Sequence, residues 1–453
     1  MATDFMCFIN KLDEEIVSAY EDLERRKDYF SHYNNAGGDV FTRTTPLSLR
    51  NMIWFMIQRP TGDLPFELFK FLEPQSMMAG KSAYSLKRKL IMPNFIRRLM
   101  DAEVELFYNL FQPKCWNGHL LVAIDGTMLS LPNRPELLDH FGGIKDSAGN
   151  MIYPACQATI AHDVLNNVTL QAEIVKKNQA ERVTFEDMYG TLLSRKLPAP
   201  ILLLLDRGYF SYKLIYWMMR DGVPFVMKTR NEYPWVKSFL ESGKKSLWTD
   251  ITPSRDTSIF TLREWRDGQQ RTLRLRLVRF DHPDGSADVL VTNMETDMAS
   301  NTDVINLYRK RWSVETSYGV YKNDLAVELF SSYRVNGILQ DFYATIICYN
   351  LVSAFMNCIP PDGPGRYHRR KKRGQTNKYA YAIDINATAG MLISSLSVII
   401  LGNHNSKALV LHIMESAWRC REPVIPSRSY PRIKRKRKVS GKHFKNTNYA
   451  QNV

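Results

Sequence analysis

Two uninterrupted apolar runs, each ending in an aspartate, constrain the fold of this chain more than any other feature. They are HLLVAID at residues 119–125 and ILLLLD at residues 201–206. Because neither run alternates with polar residues, both are typical of central strands buried on both faces of a sheet. Acids at the carboxyl ends of such strands border the crevice where open α/β sheets bind ligands. An aspartate before a glycine, as at Asp125, is also a common turn former, so each acid taken singly is weak support for a site.

The segments that follow the first run complete an α/β pattern. Asn166 and Asn167 form a turn between two strand-like stretches, which predicts a β-hairpin. The predicted elements after residue 150 are, in chain order, the hairpin strands YPACQATIAHD (153–163) and VTLQAEIV (168–175), a helix near 179–195, the run 201–206, a helix near 211–221 and the strand VPFVMK (223–228). This order of strands and helices predicts a mixed α/β sheet.

Charge composition narrows the class of partner. Lys and Arg exceed Asp and Glu by 61 − 46 = 15, and the pI is near 9.4, which favours a polyanionic partner, above all nucleic acid. No signal peptide is expected in the charged N-terminal segment, and the apolar segment 391–402 is too short to span a membrane. Six scattered cysteines without a CxxC pair predict reduced core thiols in a cytoplasmic protein and no zinc site.

The chain divides into three regions by pattern. Residues 1–117 carry amphipathic segments without strand alternation and predict a helical DNA-binding domain. Residues 118–335 form the predicted α/β domain, in which LWTDIT, IFTLREW and TLRLRLVRFD alternate with period two and predict a β-rich insertion at 230–295. Residues 336–453 predict helices near 336–357, 380–400 and 404–418, with a basic loop and a basic tail.

Two basic segments are candidates for phosphate contacts. The first, at 77–100, contains Lys87, Arg88 and Lys89 and no acid before residue 101; the second is an internal loop with Arg369, Arg370 and Lys371. Such segments bind the DNA backbone without reading sequence. A solvated basic face accounts equally well for the first segment, and a solubilising role is less plausible for the crowded loop than for the last twenty residues.

The stretch YRKRWSVETSYGVYKNDL at 308–325 orders its polar residues unusually. If it forms one helix at about 100° per residue, Tyr308, Arg311, Glu315 and Lys322 fall within roughly 60° of arc. An adjacent apolar stripe, which would face the core, consists of Leu307, Val314, Tyr318, Tyr321 and Leu325. An i,i+4 ion pair explains Arg311 with Glu315 but leaves the other two polar residues unexplained.

Three carboxylates are enough for a metal-dependent reaction on DNA. Asp125, Asp206 and Glu315 offer hard oxygen ligands of the kind that Mg²⁺ or Mn²⁺ prefers, and two such ions would support in-line phosphoryl transfer. Arg311 and Lys322 suit phosphate, and Tyr308 suits a phosphate or a base. Together these residues predict a site that cleaves or joins DNA.

The spacing Tyr308-x2-Arg311-x3-Glu315-x6-Lys322, with IDGT at 124–127 and LDRGY at 205–209, resembles the signature of the YREK group of insertion-sequence DDE transposases, the IS-four family. The resemblance covers roughly residues 118–330. It implies an RNase H-like catalytic domain in which Asp125, Asp206 and Glu315 bind the metal ions. It also implies that Tyr308, Arg311 and Lys322 hold transposon-end DNA.

The activity implied by this resemblance is cut-and-paste transposition. The enzyme would nick double-stranded DNA at terminal inverted repeats, pass through a hairpin intermediate and join the ends to target DNA, as a homodimer on the nucleoid with Mg²⁺ or Mn²⁺ and without any membrane. Relatives offer an aromatic to a flipped base, although core packing is the simpler role for Trp248 and Trp265. The alternatives are a transposase-derived DNA-binding protein without activity, a metal-dependent nuclease without strand transfer and, against the charge, a glycosidase with paired carboxylates.

Overall fold

A computed structural model describes residues 1–22, 26–31, 40–58, 62–254, 257–268, 272–361, 363, 380–402 and 406–424. The chain forms two compact units. The first combines Met1–Phe111, Ser130–Ala155 and Gly319–Val453, and the second combines Gln112–Leu129 and Cys156–Tyr318. Helices from both ends of the chain therefore belong to the same unit.

The helices in chain order are α1 (Ala2–Glu21), α2 (Arg26–Tyr29), α3 (Leu49–Ile57), α4 (Leu64–Leu72), α5 (Lys81–Arg88), α6 (Pro93–Leu110), α7 (Pro135–Phe141), α8 (Glu181–Leu193), α9 (Tyr212–Arg220), α10 (Pro234–Glu241), α11 (Arg263–Asp267), α12 (Asn301–Lys310), α13 (Ser313–Gly319), α14 (Val335–Asn357), α15 (Ile385–Leu401) and α16 (Ser406–Arg419). The strands are β1 (Leu120–Ser130), β2 (Gly143–Lys145), β3 (Met151–Asp163), β4 (Val168–Lys176), β5 (Ile201–Leu205), β6 (Phe225–Lys228), β7 (Ser246–Ile251), β8 (Leu273–Asp281), β9 (Ala287–Thr292), β10 (Ala380–Ala382) and β11 (Glu422–Val424).

Helix α14 is the central element of the first unit. It packs against α6 and α3, and almost every residue from Gly337 to Phe355 is buried. The helix is long and apolar enough to cross a membrane, but 94% of its apolar window is buried inside the protein, as in the core helix of a globular domain. Its length therefore reflects a core that surrounds it on all sides.

A mixed sheet forms the core of the second unit. The strand order is β2-β3-β1-β5-β6-β9-β8-β7, and β4 also pairs with β3. Strands β1, β5 and β6 are parallel, whereas β2 and β4 pair antiparallel with β3 and the series β6-β9-β8-β7 is antiparallel. The predicted hairpin is present: β3 and β4 pair, and Asn167 in their turn has a φ of 55°, which asparagine tolerates better than most residues. The sequence prediction of a mixed α/β sheet is confirmed.

The segment 230–295 differs from the predicted insertion in two respects. Strands β7, β8 and β9 extend the main sheet beyond β6, and IFTLREW forms a 3₁₀ turn at Ser258–Thr261 followed by α11, with no strand. Its buried side chains, Ile259 and Trp265, are six positions apart, so burial does not follow the alternation of the sequence. Trp265 is 1% exposed and contacts Tyr216 and Phe260 edge to face, so it packs in the core.

All six cysteines are free thiols, as expected. Cys156, Cys348 and Cys358 are buried, as predicted for core thiols. The predicted core position is wrong for Cys115 and Cys420, which are exposed.

Candidate active site

Asp125 and Asp206 lie side by side at one edge of the sheet. Strands β1 and β5 are parallel, and Ile124 is paired with Leu205, so the next residue of each chain segment is the acid. Neighbouring strands are about 4.8 Å apart, which brings the two carboxylates onto the same short stretch of edge. Both side chains are half-buried.

The third acid reaches this edge from a helix that breaks. Ser300 caps α12 by accepting from the Asp303 amide at 3.1 Å, while the Asp303 carboxylate accepts from the Ser300 amide at 3.0 Å. Helix α12 ends at Lys310, and α13, which contains Glu315, begins at Ser313. The single continuous helix expected over 308–325 is therefore interrupted.

Hydrogen bonds across the interruption run between residues three apart. The amide of Arg311 donates to the carbonyl of Tyr308 at 3.1 Å, and the amide of Glu315 donates to the carbonyl of Trp312 at 3.1 Å. Such bonds tighten the backbone to about three residues per turn. Residues Val320–Asp324 then form a π-helical turn, which is wider. A constant 100° per residue does not hold, yet Leu307, Val314, Tyr318, Tyr321 and Leu325 are all buried, so the apolar stripe is confirmed.

The guanidinium of Arg311 is the cation around which the acids gather. Its Nη2 lies 3.4 Å from Glu315 Oε1, and its Nη1 lies 3.9 Å from Asp125 Oδ1. The side chain is 5% exposed, and burial opposes its charge. The nearby Tyr308 and the charges of Asp206, Asp125 and Glu315 outweigh that effect and raise the pKa of Arg311. The i,i+4 ion pair with Glu315 is thus real but is one part of a larger cluster.

Two tyrosines fix the aspartates from the helical side. The Tyr308 hydroxyl donates to Asp206 Oδ1 at 3.0 Å, and the Tyr318 hydroxyl donates to the backbone carbonyl of Asp125 at 2.7 Å. Burial and the neighbouring Asp206 raise the pKa of Tyr308, so its hydroxyl stays protonated as a donor. Tyr308 is 5% exposed, so its hydroxyl is bound to Asp206 and has little contact with solvent.

Electrostatics single out Asp125. The pKa of Asp125 is raised to about 7, chiefly by burial; Arg311 and a hydrogen bond from the Gly126 amide act to lower it, and Glu181 and Glu315 act to raise it. Burial is thus the main cause of the shift, and Arg311 offsets part of it. Perturbed carboxylates of this kind are typical of functional sites.

Two residues that sequence reasoning missed complete the cluster. Glu181 is the first residue of α8, and an ideal Cβ placed on Gly126 would lie only 2.5 Å from its carboxyl carbon. Tyr209 is fully buried; its hydroxyl has no hydrogen-bond partner in the described structure, and burial, with Glu181, Asp125 and Asp206, raises its pKa. An acid in the first turn of a helix is common, so its sequence position carried no signal.

The donor set suits a hard divalent cation. The acids supply carboxylate oxygens, which are the ligands that Mg²⁺ and Mn²⁺ prefer. Within the described ranges, no three Asp, Glu, His or Cys side chains are arranged to surround a single ion; Arg311 contacts two of the acids instead. The residues fit a divalent metal by charge and chemistry, with Arg311 as the present counter-ion.

The remaining predicted DNA contacts fare differently. Lys322 lies in the π-helical turn, in the first unit, and is half-buried. Lys89 is exposed, whereas the Lys87 ammonium donates to the Leu47 carbonyl at 2.7 Å and to Thr45 Oγ1 at 2.5 Å, so it is tied to its own fold. Arg369, Arg370 and Lys371 lie outside the described residues.

Arg88 requires a correction. It is 1% exposed and donates to Asp341 Oδ1 at 2.8 Å, to Gln340 Oε1 at 2.8 Å and to the Gly337 carbonyl at 3.0 Å. A guanidinium enclosed in this way has no surface to present to a phosphate. In the basic run at 87–89, the first two side chains are therefore bound within the protein and only Lys89 is exposed, which a count of positive charges does not reveal.

Comparison with known proteins agrees with this geometry. The family model described as "Transposase DDE domain" matches residues 116–351, just over half of the chain. The chain is 22% identical over 358 residues to the transposase InsG for insertion sequence element IS4 of Escherichia coli K12, with 75% of this chain and 78% of that protein covered. It is 26% identical over 108 residues to the putative transposase InsZ of the same organism, covering 24% of this chain and 34% of that protein.

A solved structure is also similar. The cryo-EM structure of the piggyBac transposase synaptic complex with hairpin DNA aligns with a TM-score of 0.45 at 11% identity, over 94% of this chain and 86% of that one.

The matched domain and the sheet-edge acids define the class of protein: this chain belongs to the DDE transposases. Its relationship to the IS4 enzyme extends over most of both chains, and with the Tyr308, Arg311, Glu315 and Lys322 spacing it assigns the chain to the IS4 family. The predicted family is confirmed.

Proposed function

We propose that the chain catalyses cut-and-paste transposition of an insertion sequence, with double-stranded DNA as its substrate. In this proposal Asp125, Asp206 and Glu315 hold Mg²⁺ or Mn²⁺, as two ions, at the edge of an RNase H-like sheet. The observation that carries the proposal is that these three acids gather around one guanidinium, Arg311, where the pairing of β1 with β5 ends. Asp206 follows the end of β5 as predicted, whereas Asp125 lies within β1, which continues to Ser130.

Strand order supports the RNase H-like part of the proposal. An antiparallel hairpin, β3–β4, lies beside β1, and β5 and β6 follow on the other side, both parallel to β1. Asp125 and Asp206 come directly after the paired residues Ile124 of β1 and Leu205 of β5, and Glu315 comes from a helix further along the chain. The proposed catalytic domain spans residues 118–335 and has a helical region on either side.

The chain's own side chains would divide the work. When bound, the divalent ions would polarise the scissile phosphate and stabilise the oxygens that attack and leave. Tyr308 orients the Asp206 carboxylate, and Tyr318 holds the backbone of Asp125. Once a cation balances the acids, Arg311 would turn its charge towards a DNA phosphate, with Lys322 as a second phosphate contact.

The sequence of reactions follows the family expectation. A first nick at each terminal inverted repeat would release a 3′-hydroxyl, this hydroxyl would attack the opposite strand to give a hairpin, and the reopened end would join target DNA. Two ends must react together, so the active form would be a homodimer on the DNA.

The test is cleavage of a linear duplex carrying the element's own end sequence. Asp125→Ala, Asp206→Ala and Glu315→Ala should each abolish Mg²⁺-dependent cleavage while the duplex is still bound. Asp187→Asn, which removes an exposed acid of α8, should cleave like the unmodified protein. Cleavage retained by any of the three alanine variants would refute the assignment. Cleaved ends that are never joined to a target plasmid would indicate a nuclease instead.

A further inference from the structure

Glu181 stands next to the first catalytic aspartate without belonging to the predicted triad. Its carboxyl group lies against the Cα of Gly126, where an added Cβ would come within 2.5 Å of Glu181 Cδ and 2.7 Å of Glu181 Oε1. Gly126 follows Asp125 directly, and the Glu181 charge acts on the Asp125 carboxyl. The absence of a side chain at position 126 is what lets α8 bring a carboxylate so close.

The side chain is held in place from the sheet. Gln157, on β3, donates from Nε2 to Glu181 Oε1 at 2.6 Å. An acid that served only the dipole of its helix would point at the free amides of the first turn and would need no partner on a strand. Glu181 is instead fixed towards β1, and it is half-buried.

A buried polar group without a partner lies in the same place. The Tyr209 hydroxyl is close enough to Glu181, Asp125 and Asp206 to be affected by all three charges, and it has no hydrogen-bond partner in the described structure. The Tyr209 ring is fixed edge to face against Phe185 of α8 at 5.9 Å. Buried hydroxyls are rarely left unsatisfied, so this one is a donor that a ligand held beside the acids would satisfy.

We propose that Glu181 is a fourth carboxylate of the divalent-cation site and helps to hold the ion bound next to Asp125. The inference rests on the proposed function, because it presupposes that Asp125 binds such an ion. When ionised, the three acids carry three negative charges against the one positive charge of Arg311, and Glu181, whose carboxyl group lies against Gly126, adds a fourth beside Asp125. Supporting groups of this kind tune affinity as much as primary ligands do.

The test measures Mn²⁺ binding to the full-length protein without DNA, by isothermal titration calorimetry. Glu181→Gln keeps the size of the side chain and should weaken Mn²⁺ binding about tenfold or more. Asp187→Asn removes one charge from the exposed face of the same helix and should stay within about twofold of the unmodified protein. Asp125→Asn serves as the reference and should weaken binding most strongly.

A second readout locates the ion without activity. Fe²⁺ with ascorbate in place of Mn²⁺ should cut the backbone near residues 125–127 and near 180–182, and Glu181→Gln should reduce both cuts together. Circular dichroism of each variant ensures that loss of binding is not loss of fold.

The outcomes separate the inference from the function it rests on. If Asp125→Asn weakens Mn²⁺ binding while Glu181→Gln behaves like Asp187→Asn, the fourth carboxylate is refuted and the proposed metal site stands. If Asp125→Asn leaves Mn²⁺ binding unchanged, the proposed metal site itself is refuted.

Discussion

Replacing Arg88 should destabilise the first unit and should not release DNA. The guanidinium joins α5 to the beginning of α14 through Asp341, Gln340 and the Gly337 carbonyl, and the Arg88 and Asp341 side chains are 2% and 4% exposed. Arg88→Ala leaves Asp341 as a buried charge without its cation. Breaking a buried ion pair by removing one partner costs about 3–5 kcal/mol.

Hydrogen bonding adds to this cost. The Gln340 Oε1 atom loses its donor from Arg88, at about 1–3 kcal/mol for a buried unsatisfied group. Asp341 keeps the amide of Ser331, at 2.7 Å, so part of its solvation is retained. A total near 5 kcal/mol is a large share of the roughly 5–15 kcal/mol by which domains are stable.

The assay is urea unfolding followed by circular dichroism. With a slope of about 3 kcal/mol per molar urea, Arg88→Ala should lower the unfolding midpoint by about 1.5 M. The double variant Arg88→Met with Asp341→Asn should recover much of the loss, because it removes the unpaired charge and leaves an acceptor for Ser331. Lys89→Ala, at the exposed neighbouring position, should leave the midpoint unchanged.

The salt dependence of DNA binding shows whether Arg88 stabilises the fold or contacts a DNA phosphate. A phosphate-binding cation lowers the slope of log affinity against log salt by about one when it is removed. Lys89→Ala has the exposure needed to show such a change, and Arg88→Ala does not. An Arg88→Ala protein with an unchanged urea midpoint and a slope reduced by about one would refute the structural role and restore the original prediction.

Three further predictions concern the acids. The folded-state pKa of Asp125 is about 7, above its ordinary 3.8, so the ionised carboxylate destabilises the folded protein above pH 7. In EDTA at pH 8, Asp125→Asn should therefore be more stable than the unmodified protein, by up to about 4 kcal/mol. Calorimetry should show this difference shrinking as the pH falls from 7 to 4. An equal difference at pH 8 and pH 5 would contradict the shift. Tyr308→Phe removes the donor to Asp206 and should reduce DNA cleavage about tenfold, with duplex affinity within twofold; a parallel loss of affinity would mean that the hydroxyl contacts DNA. Arg311→Met removes the counter-ion and should lower the melting temperature in EDTA at pH 8, with millimolar Mn²⁺ restoring it; no restoration would show that the metal does not replace this cation.

The strands could be predicted because each has a strong local signal. Apolar runs at 119–125 and 201–206 cannot be placed anywhere but in a buried sheet, and the pairing of Ile124 with Leu205 follows once both are parallel neighbours. The prediction for segment 258–267 was wrong because its alternation of apolar and polar residues falls on a 3₁₀ turn and a short helix, where the buried side chains, Ile259 and Trp265, are six positions apart. Local pattern does not separate these cases when the element is only four or five residues long.

Residues of the site that depend on distant contacts could not be predicted. Glu181 reads as an ordinary first-turn acid until α8 is placed against Gly126, and Arg88 reads as one of several basic residues until α14 is placed beside it. Both roles depend on which elements pack together. The contacting residues are far apart along the chain: 55 positions separate Gly126 from Glu181, and 253 separate Arg88 from Asp341.

The break after Lys310 changes what the ordered polar stripe means. A straight helix would have lined up Tyr308, Arg311 and Glu315 along its axis, one turn above the other. The tighter turn through Arg311 and Trp312 instead sends Tyr308 to Asp206 and lets Arg311 reach both Glu315 and Asp125. The signature spacing therefore specifies a bend in the backbone as well as a shared helix face. Within one short stretch, Tyr308 reaches Asp206 and Arg311 reaches Asp125, although the two aspartates come from segments that are neighbours only in the folded sheet.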